Sequence, residues 1–245
     1  MKLPEFSQYF DLFYNNLVSN QAPGHTEYEK SLILTQALEL EVKELYEGTA
    51  AGFERTESIA EALQPLVKQE TYNYEHITSK SLGGKVFIPI KNNDPLLADG
   101  ADKSKIMYVV YEEVLASKDN CDDIRLLVTP VTHNDFYSSL NNPFKGPKGN
   151  RALRLLSKEH IELFIPEKYN FTEYNVRYVA YPKPIILPGA YTELGGTPGS
   201  KIPISTYTIN GYKIPEGGIE CELPPFVHKD IIMKAVTLAK AAWNS

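Results

Sequence analysis

Imidazole and carboxylate side chains are the groups in this 245-residue sequence that most directly suggest catalysis. His133, Asp135 and His160 could together serve a hydrolase, with an imidazole as general base and a carboxylate to orient it. Their spacing does not require that role, and a helix-capping or surface position is the simpler interpretation. The five histidines are scattered, and no two of them have the i, i+4 spacing that places two metal ligands on one helix face.

Two glycine-rich stretches and two cysteines are further candidates for chemistry in the sequence. Residues 195–201 and 146–151 lack the four-residue gap of a phosphate loop, and Pro203 follows the first stretch where a helix would have to begin. Cys121 and Cys221 lie 100 positions apart without basic or histidine neighbours, so we interpret both as structural thiols. The acidic turn 120–123 suits solvation better than a cation. We therefore expect no catalysis, no cofactor and no metal.

Basic side chains interleaved with aromatic ones form a further pattern, once around Phe144 and once around residues 177–183. Such interleaving can follow single-stranded nucleic acid, but it more often builds sheet faces or protein interfaces, which we favour. Near the C-terminus, Trp243 could fill a partner's pocket or equally cap its own helix. The candidate interface residues are Lys145, Lys148, Arg151, Arg154, Tyr178, Tyr181, Lys183 and Trp243.

Composition narrows the class of protein. Hydrophobic residues make up 42% and charged residues 23%, a normal globular mixture, and the net charge of -6 argues against wrapping nucleic acid over the whole surface. Residues 1–70 carry twelve acidic and five basic side chains, whereas residues 145–201 carry nine basic and five acidic ones. Complementary faces are one interpretation, and ordinary solvated faces are the other. We expect no signal peptide and no membrane-spanning helix.

Helical patterns begin and end the chain. Phe6, Phe10, Phe13 and Leu17 form an apolar stripe on a first helix. Residues 26–29 spell a capping box for a second helix, which carries apolar residues on one face up to a C-cap at Gly48. A third helix is predicted over residues 56–67. The last twenty residues form another helix, whose wide apolar face predicts packing against the N-terminal helices.

Strand patterns occupy the middle of the sequence. Aromatic or β-branched runs predict strands over residues 71–74, 86–88, 106–114, 124–131, 151–156, 161–165 and 174–181. A short helix is predicted over 133–140, an exposed loop over 188–201, and a hairpin around Asn210-Gly211. The fold class is therefore α+β, with N-terminal helices packed on a C-terminal helix and a β-rich module inserted between them. We predict a helical core from residues 1–70 and 222–245, and a β-rich module from 71–221.

Four segments together resemble a known family. They are SNQAPGHTEYEKSLILTQA (residues 19–37), FYSSLNNPFKGPKGNRALRL (136–155), EYNVRYVAYPKPIIL (173–187) and CELPPFVHKDIIMKAVTLA (221–239). Their combination is similar to a neck ring protein of crAss-like phages that infect gut Bacteroidetes, and the layout resembles head–tail adaptors of the tail tubular protein A type. His25-Thr26 stands where the pattern has an apolar residue and an acidic cap, and residues 189–220 match nothing in it.

The resemblance implies a structural virion protein without enzymatic activity, made in the host bacterial cytoplasm and located in the neck or tail. It implies a closed ring of about twelve identical subunits. The implied partners are the portal protein, the next neck or tail ring, and double-stranded DNA that passes through the channel without specific binding. Two rival hypotheses remain: a virion-associated hydrolase using the His133, Asp135 and His160 side chains, and a glycan- or receptor-binding module built on the tyrosine-rich β region.

Overall fold

The computed structural model describes residues 1–17, 24–48, 57–73, 80–81, 84–90, 92–99, 104–118, 121–157, 159–200 and 202–243. The helices in these ranges are α1 (Leu3–Leu17), α2 (Glu27–Glu47), α3 (Glu57–Leu63), α4 (Phe136–Asn141), α5 (Pro188–Glu193) and α6 (His228–Trp243). The strands are β1 (Val67–Asn73), β2 (Lys80–Ser81), β3 (Lys85–Pro89), β4 (Ile106–Lys118), β5 (Cys121–Val131), β6 (Arg151–Leu156), β7 (His160–Phe164), β8 (Asn170–Ala180), β9 (Ile204–Ile209) and β10 (Tyr212–Ile214). The predicted α+β class is confirmed.

The chain forms two compact units. The helical unit contains residues 1–66, 93–101 and 181–245, and the β unit contains residues 67–92 and 102–180. Residues 181–221, predicted as part of the β-rich module, lie in the helical unit. The division at residues 70 and 222 stays a prediction about folding domains.

The helical unit is built on α1, α2 and α6, which pack together as predicted. Phe6 and Phe10 of α1 are buried, as the predicted stripe requires. Phe13 is half-exposed, and the aromatic side chain buried in the next turn is Tyr14 instead. The side chain of Leu17 lies outside the described residues. At the start of α2 the capping box is present, with Thr26 Oγ1 accepting from the Glu29 amide (3.2 Å) and Glu29 accepting from the Thr26 amide (2.9 Å).

Hydroxyl groups of α2 bind a distant backbone segment. Ser31 Oγ accepts from the Leu187 amide (2.9 Å), and Thr35 Oγ1 accepts from the Ile185 amide (3.2 Å). Ile186 then pairs with Ile219, just before the segment that leads into α6. Glu222 accepts from the Lys183 amide (3.0 Å), and α6 packs on α2, so three of the four segments quoted above meet in this unit. Their hydrogen bonds satisfy backbone groups whose burial would otherwise cost free energy.

Two predicted boundaries are wrong. The third helix ends at Leu63 instead of residue 67, because the ring of Pro65 disfavours helical geometry at the preceding residue; a 3₁₀ turn follows and β1 begins at Val67. Residues 188–193, predicted as exposed loop, form α5. Pro188 starts this helix and Tyr191 is buried, so glycine and proline content alone misled the prediction.

The hairpin around Asn210-Gly211 is confirmed. It joins β9 to β10, and both turn residues have positive φ, as a two-residue turn of this kind requires. Ile209 and Tyr212, on either side of the turn, are buried against α5 residues such as Ala190.

The β unit is an eight-stranded sheet in the order β1-β8-β4-β5-β6-β7-β3-β2. Its buried side chains include one large cluster and a smaller one of Leu153, Leu155 and Phe164, against which Phe136 and Leu140 of α4 pack. Neighbouring strands are antiparallel except β5 and β6, which run parallel with Leu127 opposite Arg151. Parallel neighbours need a long crossover, and residues 132–150 supply it, including α4. The sheet topology therefore places the loop that follows α4, residues 142–150, outside the strand ladder.

Candidate interface surface

The crossover loop after α4 is fixed by its own hydrogen bonds. Asn142 Oδ1 accepts from the amides of Phe144 (2.8 Å) and Lys145 (3.2 Å), and the Asn142 carbonyl accepts from the Gly146 amide (2.8 Å). Gly146 is buried, and an added Cβ would lie 2.8 Å from the Leu140 carbonyl oxygen. The loop therefore has a defined conformation that only glycine permits at this position.

This loop displays an apolar surface with a basic rim, which we call the Phe144 patch. Phe144 is 85% exposed, and Leu127 of the neighbouring strand is 68% exposed. Lys145 and Lys148 are exposed beside them, and the guanidinium of Arg151 donates to the Phe144 carbonyl. Leu127, Pro143, Phe144, Lys148 and Arg151 line a shallow depression of about 460 Å³.

A larger depression of about 880 Å³ adjoins the patch and shares Lys148 with it. We call it the lysine cavity, because Lys85, Lys118 and Lys168 also line it, together with the aromatic rings of Phe164 and Tyr169. The Lys118 ammonium lies 5.6 Å from the Tyr169 ring centroid.

Lys85 forms an ion pair with Glu162 (2.8 Å). Burial alone would raise the pKa of Glu162, but hydrogen bonds from Lys85 and His160 hold that pKa below its usual value. Lys85 is thus neutralised. Lys118, Lys148 and Lys168 outnumber the lining carboxylate of Glu167, so the cavity is basic overall.

Asn150 connects the two depressions. Its carbonyl accepts from the Leu127 amide (2.7 Å), and its side-chain oxygen accepts from the Tyr169 hydroxyl (3.1 Å). The patch and the cavity are therefore held on one framework of backbone and side-chain hydrogen bonds. Together they form a continuous basic and aromatic surface of the β unit.

Two of the predicted interface residues lie inside the β unit. Arg154 is 9% exposed, and its Nε donates to Glu112 (2.9 Å), which also accepts from the Tyr174 hydroxyl (2.8 Å). Tyr178 is 1% exposed and donates to Glu70 (2.7 Å). Burial and the hydrogen bond to Glu70 raise the pKa of Tyr178, so its phenol stays neutral and serves as a donor.

The remaining predicted residues belong to the helical unit. Lys183 pairs with Asp94 (2.8 Å), and Tyr181 is half-buried nearby in sequence. Trp243 is the last residue of α6, and its side chain lies outside the described residues. The structure thus groups Lys145, Lys148 and Arg151 on one surface and places the other predicted residues elsewhere.

Sequence reasoning missed Leu127, Lys118 and Lys168. One signal was available for Leu127: Leu126 and Val128 face inward on β5, so an intervening leucine occupies an outward position where a polar residue is usual. The two lysines reach the cavity only through strand pairing, which local sequence does not specify.

The candidate hydrolase residues have separate partners. Asp135 accepts from the Thr132 hydroxyl (2.9 Å) and caps no helix with its side chain, while His160 contacts Glu162 (3.1 Å) and the Phe87 ring. His133 is exposed. Within the described ranges no group of three His, Cys, Asp or Glu side chains could hold a metal ion.

Cys121 is exposed and Cys221 is half-buried, and neither forms a disulfide. Burial raises the pKa of the Cys221 thiol to about 11, which disfavours the reactive thiolate there. The part of the chain that the structure describes contains no helix long and apolar enough to cross a bilayer.

Comparison with known proteins gives matches along the whole chain. Residues 1–245 match the model of a family described as phage tail ring protein 3/4. Ring protein 4/5 of Bacteroides phage crAss001 is 30% identical over 248 residues, covering 100% of this chain and 94% of that protein. Ring protein 3 of the same phage is 33% identical over 242 residues, covering 96% of this chain and 93% of that protein.

Proposed function

This chain belongs to the phage tail ring protein 3/4 family, and from that premise we propose that it forms one closed ring in the neck of a crAss-like phage particle. In that position the ring would connect the portal side to the tail side around the DNA channel. Its role would be geometric, since it would hold neighbouring rings in register and leave the channel open.

The observation that carries this proposal is the full-length similarity to two differently named ring proteins of one phage. Both alignments span the helical unit and the β unit, so the similarity is not confined to a single module. A common fold used in more than one ring is suited to stacking, because related subunits can present matching surfaces to one another. We therefore propose that its axial neighbours include a related ring.

Features of the described residues support a binding role. The Phe144 patch presents a large apolar side chain on a fixed loop, and such preordered aromatic anchors contribute strongly to protein interfaces. The helical unit is held by buried contacts between distant segments, as a symmetric ring would require of each copy. Contacts between two different surfaces of identical subunits close into a ring when the rotation between neighbours divides the circle.

Electrostatics bears on the passage of DNA. With a net charge of -6, the chain offers little attraction to phosphate over most of its surface, and acidic side chains facing the channel would let DNA slide. We propose that double-stranded DNA passes through the ring without specific binding. A gel-shift titration with a random duplex should show no retention at 150 mM salt, about physiological ionic strength.

The proposal includes the absence of catalysis. Replacing His133, Asp135 and His160 together by alanine should leave both particle assembly and infectivity unchanged. Normal assembly combined with loss of a hydrolytic activity would instead favour the enzyme hypothesis.

Electron cryomicroscopy of purified particles, reconstructed without imposed symmetry at the portal vertex, tests the proposed function. We expect about twelve copies of this chain in one closed ring between portal and tail, by analogy with portal-bound adaptors. Finding the chain on fibres, spread over the capsid or absent from the particle would refute it. Glycan binding by the full chain would then favour the receptor-binding hypothesis.

A further inference from the structure

We propose that the Phe144 patch of one copy docks on the outward face of α2 of a second copy, in a head-to-tail contact. This inference rests on the proposed ring function and identifies the two surfaces that would join neighbouring subunits. Each surface has an apolar centre with a charged rim, and the two rims have opposite signs.

The first surface is already ordered in the free chain. Asn142 fixes the backbone of the loop, and the carbonyl of Phe144 accepts from the Arg151 guanidinium. Phe144 is therefore presented without the entropic cost of ordering a mobile loop on binding. Together Phe144 and Leu127 place two strongly exposed apolar side chains beside three cationic ones, a composition typical of an interface anchor with a polar rim.

The second surface is one side of the 21-residue helix α2, defined as Glu29, Leu32, Gln36, Leu40, Lys43, Glu44 and Glu47. These residues follow the helical repeat and are all exposed, while the opposite side, including Leu34 and Leu38, is fully buried. Leu32 and Leu40 are each 39% exposed along the centre of this α2 outer face.

Charge makes the two surfaces complementary. The α2 outer face has acidic residues at both ends, Glu29 at the first turn and Glu44 and Glu47 at the last. Lys43 lies on the same face and Lys234 of α6 pairs with Glu44, so three carboxylates stand against two ammonium groups and the face keeps a net negative charge. The patch rim is basic throughout. Opposite rims favour encounter in one orientation and disfavour contact between two copies of the same surface.

An acidic helix with exposed leucines fits this patch better than a nucleic-acid backbone does. Phosphates would satisfy the lysines but leave Phe144 and Leu127 in water, so the apolar centre would gain nothing from the contact. Contact with Leu32 and Leu40 would remove that apolar centre from water, and the glutamates would approach the lysines at the rim. The occupant we assign is therefore protein, and specifically the α2 outer face of a neighbouring copy.

The topology of the contact agrees with ring formation. The patch lies in the β unit and the α2 outer face lies in the helical unit, so the two surfaces are distinct parts of the chain. Each copy would therefore use one surface toward each neighbour. Such a heterologous contact repeats from subunit to subunit and can close into a ring, which a self-complementary contact cannot do alone.

Engineered cysteines in assembled particles test the contact. A chain with Phe144→Cys and Leu40→Cys, in which the exposed Cys121 is replaced by serine, is incorporated into particles, oxidised and examined on a non-reducing gel. Because a disulfide forms only when the two Cα atoms lie within about 7 Å, a ladder of covalent multimers reports the proposed contact between copies. Either cysteine alone should give no ladder.

A matched control uses Phe144→Cys with Lys229→Cys, since Lys229 is exposed on α6 but lies outside the α2 outer face. This pair should give no ladder. A ladder from the control, or a ring seen by cryomicroscopy without any ladder from the Phe144 and Leu40 pair, overturns the inference but leaves the ring function intact. Particles with no ring of this chain overturn both.

Charge reversal gives a second readout. Lys145→Glu with Lys148→Glu should reduce the copies per particle at least about tenfold, because like charges then face each other at the rim. Adding Gln36→Lys and Glu47→Lys to the same chain should restore incorporation to within about threefold of the natural chain. The control reversal, Lys68→Glu with Lys229→Glu, should change incorporation little. Equal loss in both reversals, or no rescue, contradicts the assignment.

Discussion

The interior of the β unit and its crossover loop both contain basic and aromatic side chains, but those of the interior are buried and paired whereas those of the loop are exposed. In the interior, Arg154 and Tyr174 both donate to the carboxylate of Glu112. In the loop, Phe144 and Lys148 face solvent beside a backbone that is already hydrogen-bonded. The polar groups of the interior already bind one another, whereas the loop side chains are accessible to another molecule.

The difference lies in partners that are remote in sequence. In the sheet a single strand, β5, lies between β4 and β6, so Glu112 on β4 is within reach of Arg154 on β6. Glu70 contacts Tyr178 because β1 pairs with β8. Among the described residues, no ion pair joins Lys145 or Lys148 to a carboxylate. Interleaved basic and aromatic residues therefore indicate a cluster, while the sheet topology decides whether that cluster is core or surface.

The largest effect on stability is expected from Glu112→Ala. The substitution leaves the buried guanidinium of Arg154 without its anion and the Tyr174 hydroxyl without its acceptor. Removing one partner of a buried pair typically costs about 3–5 kcal/mol, so we expect that loss in the free energy of unfolding. Urea titration followed by near-UV circular dichroism measures it.

Glu113→Ala is the matched control for this substitution, since Glu113 lies next in the chain and its partners are exposed or distant. Its ion pair with Arg125 is long (3.9 Å), and it accepts from the exposed Tyr111 hydroxyl (2.9 Å) and, at 3.4 Å, from Asn175. We expect a loss below about 1 kcal/mol there. Equal losses at the two positions would contradict a dominant role for the buried pair.

A smaller, pH-dependent effect is expected from Glu70→Gln. Burial would raise the pKa of Glu70, but hydrogen bonds from Lys105, Tyr72 and Tyr178 outweigh it and hold the pKa below its usual value. The ionised carboxylate therefore contributes stability above the unfolded-state pKa, near 4.3 for glutamate, and that contribution is lost as the pH falls through the lower folded-state pKa. At pH 7 the substitution should cost about 1–3 kcal/mol.

The pH profile distinguishes this network from general acid denaturation. Unfolding midpoints in urea between pH 7 and pH 3 should fall less steeply for the Glu70→Gln chain than for the natural one. Glu162, whose pKa is also lowered, should keep its own part of the slope in both. Parallel profiles would show that Glu70 does not govern the acid sensitivity of the β unit.

Local sequence patterns predicted much of the fold because local physics determines those parts. The capping box at Thr26, the stripe of α6 and the Asn210-Gly211 turn depend on neighbours within a few residues. α5 escaped prediction because its stability comes from the burial of Tyr191 and from Glu193, which accepts hydrogen bonds from two amides at the start of α2. Those partners are more than 160 positions away.

The candidate surface was predictable only in part for the same reason. Lys145, Lys148 and Arg151 lie close together in sequence, so their common location on the crossover loop followed from local spacing. Arg154 continues that run, but on β6 its side chain is buried against β4. Lys118 and Lys168 reach the cavity from other strands and loops, and only the strand order of the sheet brings them there.

Gly146→Ala is expected to disturb the loop without unfolding the unit. The added Cβ would approach carbonyl oxygens of Leu140 (2.8 Å) and Asn142 (2.9 Å), so the backbone must shift, at a cost of about 1–3 kcal/mol. Incorporation into particles should fall, because Phe144 moves with the loop. Gly217→Ala, where an added Cβ meets nothing within 4 Å, should leave both stability and incorporation unchanged.

The smallest effect on stability, and the sharpest separation of the two regions, is expected from Phe144→Ala. Its ring is 85% exposed, so removing it should change the free energy of unfolding by less than about 0.5 kcal/mol. If the ring anchors a subunit contact, the copies per particle should nevertheless fall at least about tenfold, a loss typical of an interface anchor. Quantitative mass spectrometry of purified particles measures the copy number.

Tyr137→Ala is the control, because Tyr137 is 74% exposed on α4 but lies outside the Phe144 patch. Its removal should alter neither stability nor copy number. Loss of incorporation with both substitutions would point to a general need for exposed aromatic surface on the crossover. Normal incorporation of the Phe144→Ala chain would mean that the loop, although ordered and exposed, is not where neighbouring subunits meet.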